Sequence, residues 1–181
     1  MQKLVMFLAV AFITVQSNAQ FSKATLKATG LTCALCSNAI NKALQTVPFI
    51  ESVRSDIKNS AFTIVFKQNA NVEIDEVKKA VEDAGFAVGS LQLTGTFNEV
   101  NIGADKHVRI GNANYHFLNT TDQSLSGEKT ITVVDKDFVT AKQYKKISSA
   151  SKMSCVQTGK AASCCTKEGM TEGERVYHVT I

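Results

Sequence analysis

Cys33 and Cys36 stand two residues apart in GLTCALCSNAI, residues 30–40. Such a pair supports three chemistries. Two thiolates can close on a soft ion, Cu(I) or by the same softness Hg(II). They can cycle between dithiol and disulfide. They can also staple a loop, although a bridge across so few residues restricts the unfolded chain little. A structural zinc site uses four ligands, and residues 20–94 hold no histidine and no further cysteine. A metal bound here is two-coordinate and open to a thiol arriving from elsewhere.

A second group, Cys155, Cys164 and Cys165, lies in ASKMSCVQTGKAASCCTKEGMT with Met153 and Met170 on its flanks. Three thiols with thioether neighbours form a soft-ligand set suited to Cu(I). A disulfide from Cys155 to Cys164 or Cys165 accounts for the same residues, and both readings stand. Adjacent cysteines rarely bridge to each other. His116 and His178 can add imidazoles if the fold brings them near. His107 and His116 fall on predicted strands, where a structural histidine is the expected role. Five cysteines is an odd number, so in an oxidising compartment at least one thiol is shared, metal-bound or unbridged.

The elements that must hold the first pair are legible. Ala24, Leu26 and Ala28 alternate with Lys23, Thr25, Lys27 and Thr29 as on a half-buried strand. Cys36, Ile40, Ala43, Leu44 and Val47 then share a helical face, and Pro48 stops the helix. Val53 and Ser55 mark a second strand, and Phe62, Ile64 and Phe66 a third. Ile74, Val77, Ala80, Val81 and Ala84 form the stripe of a second helix ending at Gly85, and Phe86 to Leu93 is a fourth strand. The order βαββαβ predicts a ferredoxin-like sandwich, two helices on one face of an antiparallel sheet. Cys36 then falls in the first turn of a helix, where the macrodipole favours thiolate.

With that order, GLTCALC before the first helix and AVEDAGF before the last strand, residues 22–93 resemble a heavy-metal-associated domain. The family includes copper chaperones, modules of copper-pumping ATPases and periplasmic mercuric-ion-binding proteins. The resemblance implies Cu(I) or Hg(II) bound by Cys33 and Cys36 and handed on through a three-coordinate intermediate with a partner thiol. It also implies that Leu31, where the family usually has methionine, packs beneath the loop, and that Phe86 faces it. A thioredoxin-like pair is the rival, but the chain has no tryptophan, and its single proline is Pro48.

Residues 95–181 carry no comparable pattern. Short β runs at 96–102, 107–110, 115–118, 130–134 and 175–181, with a helix near 137–148, predict a small β-rich domain, with a five-stranded barrel of OB type as its candidate form. Gly111-Asn112-Ala113-Asn114 reads as a hairpin turn, and residues 150–172 as a long loop. The expected organisation is a signal peptide at 1–19, a metal domain at 20–94 and a β-rich domain at 95–181. Lys3, the apolar run Leu4–Val15 and the small residues Ser17 and Ala19 are the plan of a cleavable leader, so the mature chain is expected in the periplasm or outside the cell.

The 181 residues carry a formal charge of +4. Eight Lys and Arg face seven Asp and Glu in 20–94, and eleven face nine in 95–181. Neither half is a basic nucleic-acid surface. No nucleophile stands at motif spacing from a base, and no glycine loop cradles phosphate. The expectation is a metal-binding protein rather than an enzyme, handling Cu(I) for an envelope acceptor or transporter. The alternatives are a mercuric-ion scavenger and a thiol-disulfide oxidoreductase.

Overall fold

The computed structural model describes residues 19–31, 34–104, 106–151, 153–166 and 169–181, with the side chains of Ala150 and Cys164 left out. The leader expected at 1–19, Ala19 excepted, and Cys33 lie outside the described residues. The first six elements follow the βαββαβ order: β1 (Gln20–Thr29), α1 (Ala34–Gln45), β2 (Ile50–Asp56), β3 (Ala61–Phe66), α2 (Ile74–Asp83) and β4 (Ala87–Ile102). Their strands lie side by side as β2-β3-β1-β4, all antiparallel. Leu26, Ile64 and Leu91 face inward beneath Ile40 and Leu44 of α1 and Ile74, Val77 and Val81 of α2, all at most 1% exposed.

The end of α2 shows how local sequence sets these boundaries. Gly85 takes φ +86°. Its N–H donates to the Glu82 carbonyl at 2.8 Å, and the Phe86 N–H donates to Val81 at 3.1 Å. This double closure needs a residue free to enter the left-handed region, and it aims the chain into β4.

β4 is sixteen residues long, about 50 Å at the usual rise per residue. The boundary expected between residues 94 and 95 falls inside it. One edge of β4 pairs with β1; the other pairs with β7 (Gln123–Val133), from Leu91↔Val133 to Ile102↔Gln123. A bulge between Phe97 and Val100, with Glu99 at φ +53°, turns the strand midway. β5 (His107–Ile110), β6 (Ala113–Phe117) and β8 (Val176–Thr180) complete one eight-stranded sheet, β2-β3-β1-β4-β7-β8-β6-β5. The five-stranded barrel is therefore replaced by an extension of the first sheet, because β4 offers β7 a second edge. Phe21 of β1 packs edge-on to both Phe97 and Tyr115, at 6.1 and 5.7 Å between ring centres. One apolar core thus runs from Leu26 through these rings to Phe117 and Val179.

The far face of β6 and β8 is covered by α3 (Ala141–Ala150), α4 (Ser154–Thr158) and α5 (Ser163–Thr166). Beneath them lies a second small cluster of Leu118, Val134, Cys155, Val156, Ala161, Cys165 and Val176. Two of these helices interrupt the loop expected at 150–172; a single turn is too short to show an apolar period. α3 begins later than residue 137 because Asp137 adopts φ +68° and Thr140 caps the helix, accepting from the Gln143 N–H.

Candidate functional site

The first candidate sits where β1 hands over to α1. Leu31 is half-buried against the core; residues 32 and 33, beneath which it is expected to pack, lie outside the described residues. Cys36 is the third residue of α1 and half-buried. No acidic side chain occupies that first turn, so the partial positive charge of the helix start acts on the Cys36 sulfur unopposed within its own helix and favours thiolate. Leu35, between the two cysteines in sequence, is 80% exposed. Phe86 is half-buried against the core from the α2–β4 corner. This edge presents one described thiol and an apolar side chain to solvent.

The second candidate is built on strands. The turn between β5 and β6 is two residues, Gly111 and Asn112, with Gly111 at φ +58°, the left-handed entry that a tight hairpin requires. This shortens the expected turn and sets the register Ile110↔Ala113, Arg109↔Asn114 and His107↔His116. β6 also pairs in parallel with β8, placing His116 beside His178. Three histidines therefore form a row across three neighbouring strands. Ring centres are 4.5 Å apart for His107 and His116, and 5.2 Å apart for His116 and His178.

Cys155 of α4 comes down onto this row. Its sulfur lies 3.8 Å from Nε2 of His107 and 4.0 Å from Nδ1 of His116. One ligating atom from each of the three residues falls within 4.8 Å of the other two. Cys155 and His116 have no exposed surface, His178 is 1% exposed, and His107 alone is partly open. Burial first, and then the imidazoles of His107 and His178, push the His116 pKa down to about 3. That ring is neutral, with a lone pair to offer, at any ordinary pH.

Behind the row stands a charged brace. Nδ1 of His178 lies 2.6 Å from Asp135 Oδ1. The second Asp135 oxygen meets Arg175 at 3.0 Å. Arg175 also reaches Asp75, in the first turn of α2, at 2.9 Å and lies 4.2 Å over the Tyr177 ring. The brace links the histidine row to a helix of the N-terminal half.

The structure places one member of the expected second set against the histidines. Of the three cysteines, Cys155 meets the histidines, while Cys165 is buried in the same apolar cluster; the Cys164 side chain lies outside the described atoms. His107 and His116, read as structural from sequence, both bring a ring nitrogen to within 4.0 Å of the Cys155 sulfur. The signal was present: a Gly-Asn turn of two residues sets position 107 opposite 116 by counting outward.

Comparison with known proteins bears on the first candidate. Residues 25–87 match the family described as heavy-metal-associated domain. The chain is 30% identical over 80 residues to the probable copper-transporting ATPase HMA5 of Arabidopsis thaliana, covering 44% of this chain and 7% of that protein. It is 29% identical over 86 residues to the mercuric transport protein periplasmic component of Serratia marcescens, covering 48% of this chain and 93% of that protein. A copper binding domain from HMA7, a P-type ATPase, is a structural neighbour at 35% identity and TM-score 0.33, covering 36% of this chain and 86% of that domain. All three matches cover less than half of this chain.

Proposed function

Residues 25–87 are a heavy-metal-associated domain, and on that premise we propose that the protein captures Cu(I) through Cys33 and Cys36 and holds it for buffering or delivery. The observation that carries the reading is the position of Cys36 in the first turn of α1, on a half-buried edge where a thiolate is favoured and a partner can approach. Two thiolates without nitrogen or oxygen donors suit a soft ion of low coordination number. Cu(I) is cargo in this reading. The open coordination lets an acceptor's thiol add before the first bond is released, and the exposed Leu35 offers that acceptor an apolar contact. The leader-like pattern of residues 1–19, Lys3 followed by the apolar run Leu4–Val15, supports work outside the cytoplasm, with an envelope transporter or metal acceptor as the proposed partner. Among the described residues no helix is long and apolar enough to cross a membrane. The role is binding and transfer rather than catalysis.

Hg(II) is the second reading, favoured by the likeness that spans nearly all of the Serratia mercuric transport component. Titration of the reduced protein with Cu(I) under anaerobic conditions, against a chromogenic chelator, tests the first. One tightly held Cu(I) is expected to disappear in Cys33→Ser and in Cys36→Ser. Retention in both variants overturns the assignment. Competition between Cu(I) and Hg(II) in the same titration orders the two ions.

A further inference from the structure

Two imidazoles and a thiol converge in the C-terminal half, at a place with no equivalent in the C-x-x-C loop. We propose that His107, His116 and Cys155 form a second metal site, for a divalent d-block ion of Zn(II) character; His178 is not part of the group within 4.8 Å and completes the set as fourth donor by moving inward as the ion binds. Around a tetrahedral zinc, bond lengths of about 2.1 Å to nitrogen and 2.3 Å to sulfur set donors about 3.6 Å apart. The observed sulfur–nitrogen separations of 3.8 and 4.0 Å need to close by only a few tenths of an ångström.

The donor chemistry separates this site from the first. Two thiolates select a soft monovalent ion, whereas mixed nitrogen and sulfur ligands suit a borderline ion that accepts four-coordination. His178 supplies an independent observation. Its Nδ1 is engaged by Asp135, while its Nε2 is buried and has no hydrogen-bond partner among the described residues. A carboxylate on one imidazole nitrogen fixes the tautomer and turns the other nitrogen into a ligand, the usual outer arrangement around bound zinc. Asp135 is thus a positioning residue, itself braced by Arg175.

Burial excludes the competing use of these groups. A Cys–His pair acting as nucleophile and base must meet a substrate, but Cys155 and His116 are 0% exposed. An ion needs far less room, and partly open His107, on edge strand β5, marks its way in. Ligation releases the Cys155 proton.

The test uses the full chain carrying Cys33→Ser and Cys36→Ser, so that the first site cannot contribute. Co(II) is the spectroscopic probe and Zn(II) the affinity probe. One Co(II) per chain is expected, with tetrahedral d–d bands and a sulfur-to-cobalt charge-transfer band that vanishes in Cys155→Ser and persists in Cys165→Ser. Failure to take up Co(II) or Zn(II) overturns the proposal, even if Cu(I) still binds. Loss of the band in Cys165→Ser with its retention in Cys155→Ser overturns the assigned ligand. His107→Gln alters a partly open edge residue and so leaves folding intact; it should weaken Zn(II) more than about 10-fold, and unchanged affinity overturns the site. Asp135→Asn should keep the charge-transfer band while weakening Zn(II) about 10–100-fold.

Discussion

The two sulfur-bearing regions hold similar donor atoms in opposite settings. Cys36 rides on the first turn of a helix, half-buried beside an exposed leucine. Cys155 lies sealed against a histidine row that three strands hold in register. A loop at a helix start can rearrange as ligands are added and lost, so it suits exchange. Donors tied to a sheet cannot spread without disturbing its pairing, so they suit retention. Under the two proposals, exposure and attachment, more than the count of cysteines, separate a site that passes metal on from one that keeps it.

The sharpest way to break this contrast is to ask whether the regions are separable at all. Phe97 is fully buried and contacts Phe21 of the first strand in a core that continues to Tyr115 and Val179. Phe97→Ala should cost about 3–5 kcal/mol and lower the stability of both regions together. The check is a denaturant melt followed by probes in each half. Coincident transitions support one cooperative unit; an N-terminal transition that stays in place shows that β4 joins two independent bodies.

Next in size is the chemical contrast. Cys36→Ser removes one of the two ligands proposed for Cu(I) and should weaken its binding more than about 100-fold, beyond what a change to an outer-shell group costs. Cys155→Ser should shift Cu(I) affinity less than about 2-fold, because that thiol is buried among imidazoles. Anaerobic chelator competition on the two variants measures both. Equal losses would mean that one Cu(I) site draws on both regions.

The two regions also differ in how far they could be read in advance. Ala24, Leu26 and Ala28, the stripe from Ile74 to Val81 and Gly85 all lie where period and capping place them, because each element there buries one face. The C-terminal strands were legible one by one, the runs expected at 107–110, 115–118 and 175–181 matching β5, β6 and β8, but their order in the sheet was not. Along β8, Val176 to Val179 are all buried, with Tyr177 and Val179 in the main core and Val176 in the second cluster, so the strand's period does not say which neighbours cover it. α4 and α5 are too short to show a helical one. The Cys33–Cys36 pair could be singled out because its two members are close in sequence, and His107 could be set opposite His116 by counting out from the turn; His178 could not be added, because β6 and β8 are adjacent only through the parallel pairing of residues 114–117 with 176–179.

A pH titration of the metal-free protein sharpens the contrast further. The folded His116 pKa, about 3, lies below its ordinary value of 6.5. Between these values the unfolded chain binds a proton that the folded one refuses. The stability it contributes is therefore complete above about pH 6.5 and is lost as pH falls toward 3, with a slope approaching ~1.4 kcal/mol per unit. Asp56, in the β2–β3 turn, titrates below 3.8 because Asn59 bonds to it, so its effect begins only under more acidic conditions. Hydrogen exchange at pH 7 and 4.5 should show β5, β6 and β8 opening more readily at the lower value while β2 and β3 hold. Equal loosening of both sets of strands would remove the distinction.

The smallest effect tests the cover itself. Thr140 caps α3 through a reciprocal pair with Gln143. From α3 the Tyr144 hydroxyl donates to the Val156 carbonyl at 3.1 Å, and Ile147 packs on the cluster around Cys155. Thr140→Ala should cost about 1 kcal/mol, which raises the population of locally opened cover about 5-fold if α3 opens without the sheet. Labelling of Cys155 by a thiol reagent, in protein carrying Cys33→Ser and Cys36→Ser, should speed up by that factor, and saturating Zn(II) should suppress it. The Cu(I) affinity of the otherwise intact protein should not move, because α3 lies at the opposite end of the sheet order from α1 and β2. An unchanged labelling rate would mean that α3 does not guard the thiol, and that retention at the histidine row rests on the strands alone.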